Sequence, residues 1–258
     1  MTTPTGPNKR LAFLAREKFI PQPAMPVEDV LSEWIERFPK DANFLKSIAK
    51  NLNRKSVRKI CSQRSSSSIH HKFLAVMLWG YGPYAVGAAR TLKITKEPEF
   101  ESRIKRVYEL SKSGRHMDAI SYMAIDPIKG FGPAYGTKFV YFCSPKSVCA
   151  PIYDKRVRDW LSKYAKSELY GASLAKVQWH TNSYLAWSQW LQVQSVLLAR
   201  HWEDLEYLIF EDAKSIKGVC QQIVDADNAF KFLYNAVEGE SGIEYVLKPL
   251  FHGKQATC

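Results

Sequence analysis

A stretch near the middle of the chain carries the first arrangement able to do chemistry: Ile128-Lys129-Gly130-Phe131-Gly132-Pro133-Ala134-Tyr135-Gly136-Thr137-Lys138-Phe139-Val140-Tyr141-Phe142. Gly130 and Gly132 flank one apolar residue, and Pro133 stands where the first position of a new helix would be. Glycines permit a tight reversal with positive φ and close approach of another backbone. The amides left free at the helix start, at Gly130, Phe131, Gly132 and Ala134, then face outward with the positive end of the helix dipole. Such a bend binds phosphate with backbone alone; a plain tight turn between two helices is the alternative. The second arrangement is Pro151-Ile152-Tyr153-Asp154-Lys155-Arg156-Val157-Arg158-Asp159-Trp160-Leu161. Asp154 directly precedes an amphipathic pattern starting at Lys155, which makes it a good N-cap. A carboxylate at a helix N-terminus is favoured in its charged form, so Asp154 should be an anion at neutral pH.

A glycine hairpin followed about twenty residues later by a Pro-apolar-x-Asp-x-x-Val segment resembles the helix-hairpin-helix superfamily of DNA glycosylases. Within it, the wording from Gly130 to Phe142 and the run Leu78-Trp79-Gly80-Tyr81-Gly82-Pro83 are most similar to bacterial 8-oxoguanine-glycosylase-like proteins. The resemblance implies an all-α, two-lobed fold with the active-site cleft between lobes. It implies an enzyme that flips a modified base out of double-stranded DNA, cuts its N-glycosidic bond and leaves an abasic site. Asp154 would be the catalytic carboxylate, and neither a cofactor nor a metal is expected. Gly130, Phe131, Gly132, Ala134, Lys155, Arg156 and Arg158 would hold the DNA backbone. The same bacterial group is similar to anti-phage glycosylases, so the substrate is either oxidised guanine, as in base excision repair, or a hypermodified phage base such as glucosylated hydroxymethylcytosine. The rival reading is a non-catalytic hairpin DNA-binding protein in which Asp154 only caps a helix.

Base excision passes through an oxocarbenium-like sugar, and a carboxylate below that sugar stabilises the developing positive charge. The chain departs from the lyase members of the superfamily at one position. Their Schiff-base lysine lies two residues after the second hairpin glycine, and here that residue is Ala134. Taken alone, this predicts a monofunctional enzyme using water. Lys138 lies four residues further, on the same helical face and about 6 Å deeper. Helical side chains lean toward the N-terminus, so its amine can reach back to the vacated place and act as nucleophile; a phosphate-contacting or solvated lysine is the alternative. A flipped base also needs an aromatic slot. The candidates are Trp79, Tyr81 and Tyr84, beside glycines that suggest close approach of another element, with His70, His71, Gln189 and Gln192 as further polar candidates.

These groups must be positioned by helices. Apolar residues recur at helical spacing almost throughout, as in Val27, Val30, Leu31, Trp34, Ile35 and Phe38, or Phe100, Ile104, Val107 and Tyr108. Ser173 to Arg200 reads as one long helix or two, and Phe230, Leu233 and Val237 close the series. Trp187, Trp190 and Trp202 lie within helical stripes and are expected in the core. Residues 1–68 read as a helical extension ending in a basic, serine-rich linker, and 69–258 as the core, with the hairpin at about 116–142 and the aspartate segment at 151–161. The chain holds 37 Lys plus Arg against 25 acids, a net charge of +12. Such a balance favours a polyanion as partner. Arg54, Lys55, Arg58, Lys59, Arg64 and Lys72 form a basic strip that is either solvated or tracks a DNA backbone, whereas the surface at 203–212 reads as acidic. No apolar run is long enough for a membrane span and no secretory signal stands at the N-terminus, so a cytoplasmic monomer is expected. The five cysteines, odd in number and without a C-x-x-C pair, argue against disulfide or metal frameworks.

Overall fold

A computed structural model describes residues 6–16, 23–62, 68–169 and 181–216. The chain divides into two units, Met1–Ala213 and Lys214–Cys258; the first carries the hairpin and the aspartate. Its helices are α1 (Lys9–Leu14), α2 (Leu31–Arg37), α3 (Ala42–Ala49), α4 (Arg54–Ser62), α5 (Ile69–Tyr81), α6 (Val86–Thr95), α7 (Phe100–Lys112), α8 (His116–Ile125), α9 (Pro133–Cys143), α10 (Lys155–Tyr164) and α11 (Thr181–Leu197). Residues 202–213 are helical as well, and no strand occurs among the described residues. The fold is all-α. No helix among those residues is long and apolar enough to cross a membrane. The expected helical start at Ser173 and the stripe Phe230, Leu233 and Val237 lie outside the described residues.

Two helices are apolar on nearly every side, and this puts them at the centre. In α5, Phe73 to Trp79 are all buried; in α9, every residue from Gly136 to Cys143 is buried. α9 packs against α4, α5, α7 and α8. The outer helices show one apolar stripe each, such as Val157, Trp160 and Leu161 on α10. Pro133 opens α9 at a position that has no amide to satisfy, and Gly132 precedes it in an extended conformation. Gly130 has φ +81°, and a Cβ there would stand 3.2 Å from Ile94 of α6. Only glycine fits both demands.

Arg54, Arg58 and Lys72 of the basic strip turn inward, whereas Lys55 and Lys59 are exposed and Arg64 lies outside the described residues. Arg54 pairs with the fully buried Glu206 at 2.5 Å, and Arg58 pairs with Glu203. Arg54 also lies over the rings of Trp79, Tyr141 and Tyr207. Lys72 is 1% exposed and sits over Tyr108. The acidic residues near 203–212 are partners for these arginines: Asp212 likewise takes Arg10 at 2.5 Å and the indole N–H of Trp160 at 2.8 Å. Burial pushes the Glu206 carboxyl up, and the Arg54 guanidinium only partly offsets it.

Breaking a buried pair from one side leaves an uncompensated charge. Arg54→Met should therefore destabilise the protein by about 3–5 kcal/mol in urea unfolding. Arg54→Met/Glu206→Leu, which removes both charges, should recover most of that loss.

Candidate active site

The site grows from two neighbouring pairs of residues. Thr137 on α9 donates its hydroxyl to the Pro133 carbonyl at 2.7 Å and accepts the Tyr153 amide at 3.0 Å. That link brings the next residue of each segment together: Lys138 Nζ stands 3.1 Å from Asp154 Oδ2. α11 braces the same segment from another side. The Trp187 indole donates to the Ile152 carbonyl at 3.1 Å and Ser188 Oγ to the Cys149 carbonyl at 2.7 Å. Asp154 is thus fixed before its own helix begins. It then caps α10, with Oδ1 accepting the amides of Arg156 at 3.1 Å and Val157 at 3.2 Å.

Electrostatics follow from this geometry. Burial pushes the Asp154 carboxyl up, but the Lys138 ammonium, the Val157 amide and Arg156 together outweigh it and hold the group below its ordinary value. Asp154 is an anion at neutral pH. Lys138 Nζ makes its second bond, at 3.1 Å, to the carbonyl of Ala134, so the amine folds back by four residues along α9. The Lys138 and Asp154 side chains are only 9% and 12% exposed, respectively. The pair lies at the edge of the interior and still reaches solvent.

α5 closes the other side. A Cβ on Gly80 would meet the Tyr135 ring at 3.2 Å and Lys138 Cδ at 3.3 Å, so the glycine leaves room for the lysine stem. Tyr81 stacks on Tyr135 with ring centroids 4.4 Å apart, and burial pushes the Tyr135 phenol up. Lys138 Nζ is 5.6 Å from the Tyr135 ring centre. An aromatic pair, an amine and a carboxylate therefore adjoin one another. Against a flipped base such a set offers a stacking surface, a cation and an anion in one place.

Several expected residues lie elsewhere. Phe131 is 2% exposed, its ring edge-on to Phe73 and Phe139, and its amide donates to the Ile128 carbonyl at 3.0 Å. It builds the hairpin core and offers no free donor. Gly130, Gly132 and Ala134 make the bend itself, and among the described residues the amides of Gly132 and Ala134 meet no protein acceptor. Trp79 turns inward, edge-on to Phe142 at 4.9 Å. It packs behind the site and does not line it. Tyr84, by contrast, is 62% exposed beyond the end of α5. Lys155 and Arg158 both bond Asp159 at 2.6 Å, and Arg156 lies over Phe210 at 5.1 Å. His70 and His71 donate their Nε2 hydrogens to the Asp41 carboxylate at 3.1 and 3.0 Å, near the start of α5 and about 15 Å of helix rise from Gly80. Gln189 and Gln192 are exposed on α11. Trp187, Trp190 and Trp202 are buried.

Tyr135 and Thr137 do not figure among the residues singled out from sequence, whereas Gly80 is one of the glycines read there as a place of close approach. Tyr135 is one turn from Lys138, and that i, i+3 spacing was the available signal.

With this geometry in place, comparison with known proteins is informative. Residues 22–210 match the family described as "Putative 8-oxoguanine DNA glycosylase OGG-like protein". The chain belongs to that family. A search of curated proteins and a search of solved structures each found no match.

The depressed Asp154 pKa carries a stability signature. A carboxyl held below its unfolded value adds stability that is present above that value and is lost as pH falls through the folded one. The stability advantage of the wild type over Asp154→Asn, read from urea curves, should be flat above about pH 5 and shrink as the pH drops below the ordinary aspartate range.

Proposed function

We infer that this protein is a DNA glycosylase that excises a flipped, oxidised guanine, with Asp154 and Lys138 as its catalytic residues. The observation that carries the reading is the Lys138–Asp154 contact of 3.1 Å, with the amine also bonded to the Ala134 carbonyl. That carbonyl belongs to the residue standing where lyase members of the superfamily have their lysine. The amine thus sits near the place from which a Schiff base forms. The reaction balances with these two groups. Asp154 accepts a proton from Lys138 Nζ, and the neutral amine attacks the anomeric carbon. The glycosidic bond breaks and its electron pair leaves with the base, which takes the proton from Asp154 and restores the carboxylate. The ammonium formed at the anomeric carbon passes a proton to the ring oxygen as the sugar ring opens to an iminium, which water hydrolyses to an abasic site and the free amine. While the sugar is cationic, the carboxylate beside it stabilises the charge.

The aromatic pair offers a flipped base a stacking surface of the same kind for oxidised guanine and for a sugar-bearing pyrimidine. Tyr81 and Tyr135 are stacked at 4.4 Å, and Gly80 abuts the Tyr135 ring. Rings this close leave no gap for a base between them, so the choice of oxidised guanine rests on the family description. The two-lobed form of the superfamily is part of this reading, as is a grip on the DNA backbone by the amides of Gly132 and Ala134.

The test is incubation with duplexes carrying 8-oxoguanine, other lesions or glucosylated hydroxymethylcytosine, scored for abasic sites. Release should be confined to the oxidised purine, and no release from any duplex overturns the reading. Asp154→Asn should lower single-turnover base release by at least about a hundredfold while duplex binding is retained. Borohydride should trap a covalent adduct with wild type and none with Lys138→Gln. An adduct that survives in Lys138→Gln refutes the assigned nucleophile.

A further inference from the structure

On α10 Lys155 and Arg158 share the Asp159 carboxylate, and among the described residues Arg156 is in no ion pair, which raises the question of where further positive charge lies around the site. It lies on α6. Gly87, Thr91 and Ile94 are buried at i, i+4 and i+7, facing the core. A stripe about 100° round the helix presents Val86, Arg90 and Lys93, again at i, i+4 and i+7, followed by Lys96 just past the helix. All four are exposed, as is Lys129 in the hairpin turn. Among the described residues Arg90, Lys93, Lys96 and Lys129 are in no ion pair.

α6 is also anchored at both ends to parts already described. At its start, a Cβ on Gly87 would stand 2.6 Å from Tyr81, the residue stacked on Tyr135. Near its end, Ile94 abuts Gly130 of the hairpin. Arg90 is close enough to Tyr135 to act on its phenol electrostatically. The helix therefore runs from the aromatic pair to the glycine bend, about 10 Å by rise, with its cationic stripe outward. The segment leading into it is apolar and exposed: Tyr84 is 62% and Val86 48% exposed. Exposed apolar groups beside unpaired cations match a ligand with a charged backbone and stackable faces.

We propose that the outward face of α6, with Tyr84 at one end and Lys129 at the other, is the surface on which the DNA duplex docks. Arg90, Lys93 and Lys96 meet phosphates, and Tyr84 and Val86 face the bases next to the extruded nucleotide. The proposal rests on the glycosylase reading for the identity of its partner and on α6 for its location.

Anisotropy titrations of an unmodified duplex over a range of salt test it. Arg90→Gln/Lys93→Gln should weaken binding roughly tenfold at physiological salt and reduce the slope of log K against log salt by about 2. Lys105→Gln/Arg106→Gln on α7 removes the same charge from another exposed stretch and should leave the slope nearly unchanged. Tyr84→Ser should weaken binding by roughly tenfold with an unaltered slope, because stacking releases no counterions. Equal losses from the α6 and α7 doubles, or none from the α6 double, overturn the docking surface while glycosylase activity can still stand. A wild type that binds duplex through α6 yet releases no base overturns the catalytic reading and keeps the surface. One that binds no duplex overturns both.

Discussion

An ammonium and a carboxylate 3.1 Å apart, with about a tenth of each side chain exposed, can persist only if the surrounding protein replaces the water each has lost. Desolvation of such a pair costs several kcal/mol per ion before attraction is counted. Here the replacement comes almost entirely from backbone. Asp154 takes two amides at the start of α10, and Lys138 gives one hydrogen to the Ala134 carbonyl. Charge-assisted bonds of this kind are the stronger ones. Much of the architecture can be read as the means of holding these donors and acceptors in place. α9 is central because one residue of it must face Asp154 while its other sides are packed. Thr137 ties the aspartate segment to α9 one residue before the pair, and Trp187 ties it to α11. Lys138 therefore sits on a packed helix and Asp154 at the cap of another, each held from more than one side, which is what precise positioning requires.

The rest of the charge divides into an inner and an outer population. Arg54, Arg58 and Arg10 are taken up by Glu206, Glu203 and Asp212, binding α4 and α1 to residues 202–213. Arginine suits this use, since its planar fork satisfies a carboxylate with two bonds and still stacks on aromatic rings. Arg54 does both. The outer population on α6 and the hairpin turn is mostly lysine, whose hydrated head tolerates solvent and meets phosphates without a fixed geometry. A net charge of +12 thus overstates what is available at any one face, and understates how unevenly it is placed.

What was legible in the sequence was local. The positive φ of Gly130, Pro133 at the helix start and the Asp154 cap each depend on residues within one turn, and all three read directly. The reach of Lys138 toward position 134 followed from helix geometry alone. Failures divide into two kinds. The bond from Lys155 to Asp159 is an ordinary i, i+4 pair whose spacing stands in the sequence. The inward turn of Phe131 and Trp79, and the pairing of Arg54 with Glu206 across 152 positions, depend on which helices become neighbours. No periodicity within a single helix carries that information.

The substitution of alanine at position 134 and the glycine at position 80 become one fact once the geometry is known. Moving the amine's origin four residues along α9 sets its Cα about 6 Å further from the place where the nitrogen is needed. A lysine stem spans that distance only when extended along the helix surface, and this surface faces α5. Any side chain at position 80 would stand within 3.3 Å of that stem and 3.2 Å of the Tyr135 ring. An overpacked contact of that kind would move the amine off Asp154 or push the ring from Tyr81. A glycine in the middle of an apolar helix costs about 0.5–1 kcal/mol relative to alanine. That cost is the consequence of seating the Lys138 amine deeper in the protein, where Asp154 and the aromatic pair can both reach it.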